Sequence, residues 1–238
     1  MVVPAVRQAL VGATETGVAG VRVRLLAERA MLWPQGRTLF VADVHLGKAE
    51  TFRALGVPVP RGPTQASLDR LTALLEAGPV SRLVVLGDLL HARQALAGET
   101  MRVLQAWRDR HAGLEVVLVR GNHDQSAGDP PARLGIRLVD EPWRCGPFEC
   151  RHAPGGGPGD GYALAGHLHP VVRLRGRADP SLRIPCFRLG RREGVLPAFG
   201  DFTGGVPIAR RPGDRVFAIA GAHVVEIPTG GRDSLDAA

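Results

Sequence analysis

The chain has 238 residues, 45% of them hydrophobic, with a formal net charge of +7 and a pI near 10.7. That length can bury the core of one large α/β domain, and no apolar stretch approaches the roughly 20 residues of a membrane span. The charge suits a polyanion such as nucleic acid, although all but one of the 30 basic residues are arginine, a skew that a GC-rich genome produces by itself.

Residues 21–26 and 30–33 alternate enough to form a hairpin, with Glu28 and Arg29 near its turn. The apolar run 38–42 reads as a buried strand leading into Asp43-Val44-His45. Residues 48–62, with Pro58 and Pro60, are expected to form an irregular loop over that block. Thr64 is a suitable N-cap for a helix through Ala77, whose Leu68, Leu71, Leu74 and Leu75 share one face. Strand 83–86 then carries Gly87-Asp88. A second helix, 98–111, buries Met101, Leu104 and Trp107, and strand 115–119 carries Gly121-Asn122-His123-Asp124.

From Ile136 onward short strands broken by Gly and Pro predominate, at 143–152, 162–165, 171–175, 186–189, 215–219 and 223–227. A flexible loop is expected at 153–161 and a frayed polar tail at 229–238. No repeat or linker divides the chain, so 1–238 reads as a single domain, a sandwich of two sheets with helices outside. The three cysteines are odd in number and form no Cys-x-x-Cys pair, which fits a reduced, cytoplasmic setting. The N-terminus lacks the features of a signal peptide.

Five blocks of metal-ligating residue types run along the chain: Asp43-x-His45, Gly87-Asp88, Gly121-Asn122-His123-Asp124, His152 and Gly166-His167-x-His169. Each alone has an ordinary reading. A histidine is commonly a hydrogen-bonded core or surface residue, Asp after Gly a turn or cap, and Gly-Asn a tight turn. Together they hold five of the eight histidines beside carboxylates and an amide. A hard or borderline divalent ion takes that mixture, whereas a zinc finger would want paired cysteines. Three blocks follow strand-like runs, which would aim them into the crevice at the carboxyl edge of a sheet.

This order of blocks resembles the calcineurin-like metallophosphoesterase superfamily. The resemblance implies a four-layer α/β sandwich of two mixed β-sheets flanked by helices. It also implies two divalent ions sharing Asp88, with Asp43, His45 and His169 completing one and Asn122, His152 and His167 the other. A metal-bridging hydroxide would then attack phosphorus in line. His123 would face the leaving group as acid or electrostatic stabiliser, oriented by Asp124.

A narrower similarity runs from about residue 20 to 208, through DVHLGKAETFRALGVPVPRG, LGDLLHAR, VRGNHD, LAGHLHP and LPAFGDFTGG. These segments resemble the bacterial DNA-ligase-associated metallophosphoesterases, except that Asp201 stands where a small residue is expected. That family implies a manganese-dependent single-strand DNA endonuclease, with functional links to DNA repair, a DNA ligase and a helicase. Fe²⁺ and Zn²⁺ also tolerate these ligands. Lys48, Arg53 and His91 look placed to meet substrate. In VVRLRGR, Arg173, Arg175 and Arg177 alternate onto one strand face that could follow a nucleic-acid backbone or simply be solvated. A small-molecule or nucleotide phosphoesterase or pyrophosphatase is the alternative, and it would usually carry a helical cap that the sequence does not suggest. A non-catalytic scaffold should have lost ligands that are all kept here.

Overall fold

The computed structural model describes residues 12–59, 62–96, 98–155, 160–176, 179–201 and 203–228. The first sheet takes its strands in chain order: β1 (Thr14–Val18), β2 (Val21–Leu26), β3 (Ala30–Trp33), β4 (Thr38–Val41), β5 (Arg82–Leu86), β6 (Glu115–Val119) and β7 (Ile136–Val139). Pairing is antiparallel from β1 to β4 and parallel from β4 to β7. Parallel neighbours need long crossovers. Helices α1 (Lys48–Ala54) and α2 (Pro63–Glu76) lie between β4 and β5, α3 (Gly98–Arg110) between β5 and β6, and α4 (Asn122–Ala127) between β6 and β7.

The strand period of two sorts the core. Leu39, Val41, Leu83, Val85 and Leu118 pack with Leu68, Leu71, Met101 and Trp107 of the helices. Their neighbours Phe40, Val84, Leu86, Val117 and Val119 pack instead with Phe148, Leu164, Phe187 and Phe217 of the second sheet. Burial on both faces is why β4, β5 and β6 read as continuous apolar runs. Each large side chain so buried contributes about 1.5–3 kcal/mol.

The second sheet is ordered β14 (Val206–Pro207), β11 (Pro170–Gly176), β12 (Asp179–Leu189), β13 (Glu193–Val195), β10 (Tyr162–Ala165), β9 (Phe148–Cys150), β8 (Trp143–Cys145). The hairpin of β15 (Arg215–Ala220) and β16 (His223–Ile227) is attached through β12. Strand β10 runs parallel to β9 and β13, while β11 and β12 are antiparallel, so this sheet too is mixed. The architecture is α/β, two mixed sheets with flanking helices, and the described helices α2 and α3 cover the outer face of the first sheet.

Local differences from the sequence reading have local causes. Within the expected loop 48–62, Gly47 takes a left-handed φ of 82° and starts α1, where Lys, Ala, Glu and Arg are good helix formers. Helix α2 begins at Pro63 after a left-handed Gly62, not at Thr64. The Thr64 hydroxyl instead accepts the Gly47 N–H at 3.2 Å. The 143–152 run folds back at Gly146-Pro147 into the β8–β9 hairpin. The Asn122 turn continues as α4. Residues 156–159 of the expected flexible loop and the tail 229–238 lie outside the described residues.

Candidate metal centre

All five blocks stand at the carboxyl ends of strands. Asp43 and His45 follow β4, Asp88 follows β5, and Asn122 and His123 follow β6; His152 follows β9, and His167 and His169 follow β10. Backbone bonds tie the loops together. Asp43 N–H donates to Gly87 O at 3.2 Å, His45 N–H to Asp88 O at 2.9 Å, and Gly166 N–H to His152 O at 3.0 Å. The 199–200 segment rides on the first block, with Phe199 N–H donating to Ala42 O at 2.7 Å and Gly200 N–H to Asp43 O at 3.0 Å.

Five of the seven expected ligands have left-handed backbones: Asp43, His45, Asp88, His167 and His169, with φ between 47° and 68°. Non-glycine residues rarely adopt this region, and strain of this kind concentrates at functional sites. Glycines make the close approaches possible. A Cβ on Gly121 would stand 2.2 Å from Asp88 Oδ1, and one on Gly87 2.0 Å from His152 Nδ1.

The side chains form two adjacent groups. Asp43, His45 and His169 bring ligand atoms within 4.8 Å of one another, as do Asp88, His152 and His167. His169 Nε2 is 3.5 Å from Asp43 Oδ1, and His152 Nε2 is 3.6 Å from Asp88 Oδ1. Asp88 also faces the first group, its Oδ2 lying 3.9 Å from His45 Nε2. Second partners orient the rings. Carbonyls can only accept, so Nδ1–H of His152 donates to Leu86 O at 3.2 Å and Nδ1–H of His169 to Gly204 O at 3.0 Å. In their neutral forms both rings then present a bare Nε2 for a ligand.

The resulting chemistry fits a cation. Nε2 of His152 faces Asn122 Oδ1 at 2.8 Å and His167 Nδ1 at 3.0 Å, three atoms of types that ligate a divalent ion. Asp43 Oδ1 and His45 Nδ1 are buried without a hydrogen bond, a costly arrangement unless something else satisfies them. Burial, reinforced by Lys48 and the neighbouring histidines, pushes His45 down to about 2 and keeps it a neutral imidazole. Burial also raises the Asp88 carboxyl, against the pull of His152 and the His123 amide.

A family profile for calcineurin-like phosphoesterases matches residues 36–227, a span that contains every one of these candidate ligands. The chain belongs to that family. The crystal structure of Pseudomonas putida nuclease MPE is similar to it at 44% identity and a TM-score of 0.80, covering 90% of this chain and 100% of that one. A search of curated proteins found no match. The calcineurin-like chain is a metal-dependent phosphodiesterase hydrolase that uses divalent metal ions. No described helix is long and apolar enough to cross a membrane.

The residues around this phosphoesterase centre depart from the sequence reading in one role. In place of orienting His123, Asp124 has its oxygens taken by backbone: Oδ2 accepts Asp88 N–H at 2.7 Å and Gly121 N–H at 3.0 Å, and Oδ1 accepts Leu90 N–H at 3.1 Å. It is buried at the start of α4, where an N3 acid naturally bonds the cap amide. Burial raises its carboxyl to about 6, against those amide bonds. His123 is oriented by a carbonyl instead, its Nδ1–H donating to His91 O at 2.8 Å. Its backbone N–H donates to Asp88 Oδ1 at 2.9 Å.

His91 stacks on His123 with ring centroids 5.0 Å apart and also borders His45 at 5.4 Å. Burial, with Lys48 and His123 nearby, lowers it to about 4. Lys48 lines a narrow recess beside His45 and lies 5.8 Å from the Phe52 ring centroid. Arg53 sits on the same helix, paired with Glu50 at 3.4 Å. Of the arginine stripe, Arg173 is half-buried on β11, whereas Arg177 and the side chain of Arg175 lie outside the described residues. The sequence pattern assigns Arg29 and Asp201 no functional place. Both line a second recess, beside His169, where Arg29 contacts Asp201 at 3.5 Å. The unusual acid at 201 is the one sequence signal that points to it.

Proposed function

We propose that the chain is a nuclease, cutting single-stranded DNA in the presence of Mn²⁺ and acting in DNA repair alongside a ligase and a helicase in the cytoplasm. The 44% identity to a nuclease over 90% of the chain carries this reading, and the net charge of +7 favours a polyanionic substrate.

Asp43, His45 and His169 would hold one ion, Asn122, His152 and His167 the other, and Asp88, which faces both groups, would be available to each. Divalent ions there would supply an activated water nucleophile and neutralise charge on the phosphoryl oxygens. Asn122 adds an oxygen ligand without adding negative charge. With Nδ1–H committed to the His91 carbonyl, His123 turns Nε2 to the leaving-group oxygen, and as an imidazolium, protonated on both nitrogens, it gives the Nε2 proton to that oxygen as the ester bond breaks. Lys48 and His91 contact the phosphate, with Arg53 behind them on α1. Asp124 is a positioning residue that fixes the Asp88 backbone.

The test is the purified protein with Mn²⁺, Fe²⁺ or Zn²⁺ against single-stranded DNA, duplex DNA, RNA and a chromogenic phosphodiester. Preferential Mn²⁺-dependent cleavage of single-stranded DNA is expected. Hydrolysis of the chromogenic diester with no nucleic acid cut would instead establish a small-molecule phosphoesterase.

A further inference from the structure

Strand β12 is long, and one of its faces changes character along its length. Leu189 and Phe187 lie in the core between the two sheets. The intervening Cys186 belongs to a separate cluster with Val172, Val216 and Ala218 on the opposite face. Because strand side chains alternate, the inner face continues from Phe187 through Pro185 to Arg183. On the antiparallel neighbour β11, Val171 sits opposite Pro185 and Arg173 opposite Arg183. Along this face exposure rises from the buried Val171 through the half-buried Pro185 and Arg173 to the exposed Arg183, so beyond the core it continues as an overhang.

The overhang begins at the metal centre. Val171 and Pro185 line a recess of about 110 Å³ together with His169, Arg29, Ala198 and Thr203. Two residues outward comes the directly opposed pair Arg173 and Arg183. Like charges directly opposite in a strand pair are destabilising. Neither arginine has an acidic partner among the described residues. Arg173 Nε is buried without a hydrogen bond, and Arg183 Nη1 reaches only Gly205 O, at 3.5 Å. Two opposed cations without an acid, on a face leading away from a phosphoester-cleaving centre, form a site for phosphate groups.

We infer that the β11–β12 overhang is the path by which a polynucleotide backbone leaves the metal centre, with Arg173 and Arg183 binding phosphates that flank the scissile one. This rests on the nuclease reading and adds Arg183, whose place opposite Arg173 is visible only in the strand register. The ligand class is a sugar–phosphate backbone, read by charge and not by base.

The experiment compares wild type with Arg173→Gln, Arg183→Gln and the double variant on a single-stranded oligonucleotide and on a chromogenic phosphodiester, with melting temperature as a third readout. In the double variant the ratio of kcat/KM for oligonucleotide to that for the small diester should fall at least tenfold. The slope of log kcat/KM against log salt should become shallower by about 0.7 for each single-strand phosphate that is no longer neutralised. Each single variant should melt no lower than wild type, because one charge of a repelling pair is gone. An unchanged salt slope, or equal losses on both substrates with a lower melting point, would overturn the inference while leaving the nuclease reading intact. A wild-type protein that hydrolyses only the chromogenic diester would remove both.

Discussion

Asp124 accepts the backbone N–H of Asp88 at 2.7 Å, linking the start of α4 to the loop after β5. The same carboxylate takes two further amides, from Gly121 and Leu90. One buried side chain therefore sets the relation between the two loops that carry Asp88 and Asn122. Asp124→Ala should strand three buried N–H groups, each unsatisfied group costing about 1–3 kcal/mol. The expected result is a lower melting temperature together with weaker metal binding, seen by thermal denaturation and by titration of Mn²⁺. A variant that melts and binds metal like wild type would remove Asp124 from this role.

His123→Ala should retain bound metal and lose most activity. The loss should be greater for an alkyl leaving group than for nitrophenolate, which needs little protonation to depart. Metal content by elemental analysis and paired kinetics on the two esters check this. Equal losses on both esters would argue against proton donation, and loss of metal would make the residue structural.

Asp88→Asn should abolish turnover on every phosphodiester and reduce bound metal, because one shared negative charge serves both ligand groups. Appreciable turnover with full metal content would contradict the shared position.

Gly121 has an ordinary extended backbone, φ −98° and ψ 174°, so its substitution introduces no backbone strain. The difficulty is steric, since an added Cβ meets Asp88 Oδ1 at 2.2 Å. Gly121→Ala should cost about 1–3 kcal/mol of stability and displace the Asp88 carboxylate, lowering metal occupancy and activity together. Unaltered metal content would mean the loop yields at little cost.

Chelation should destabilise the fold. A ligand present at a hundred times its Kd adds about 2.7 kcal/mol, which for a chain of this size is roughly 5–11 °C in Tm. Treatment with EDTA should lower the melting point by that order, and Mn²⁺ should restore both stability and activity. An identical Tm with and without chelator would speak against ions held by the native state.

The elements that sequence makes legible are those whose signal is local and doubly constrained. Strands β4, β5 and β6 are apolar on both faces, and α2 and α3 carry their leucines and Trp107 at helical spacing, so pattern alone finds them. The ligand blocks are visible because they cluster at strand ends. Helix α1 is hidden by the prolines that follow it, and its start depends on the left-handed backbone of Gly47. The role of Asp124 is hidden because its partners are amides brought together only by folding. The pairing of Arg173 with Arg183 depends on the register of β11 against β12, which a period of two cannot specify between distant strands.

The expected ligands are divided between the two sheets, Asp43, His45, Asp88 and Asn122 on the first and His152, His167 and His169 on the second. Assembly during synthesis must respect that division. By the time β7 has left the ribosome the first sheet has all its strands, yet only four of the seven ligands exist to meet an ion. The centre is completed only when β9 and β10 have emerged and the 199–200 segment has closed over Ala42 and Asp43. An ion held by all seven would clamp the two halves of the sandwich, so hydrolytic competence would arrive as a late event in biosynthesis, with a nascent chain inert until its second sheet has formed.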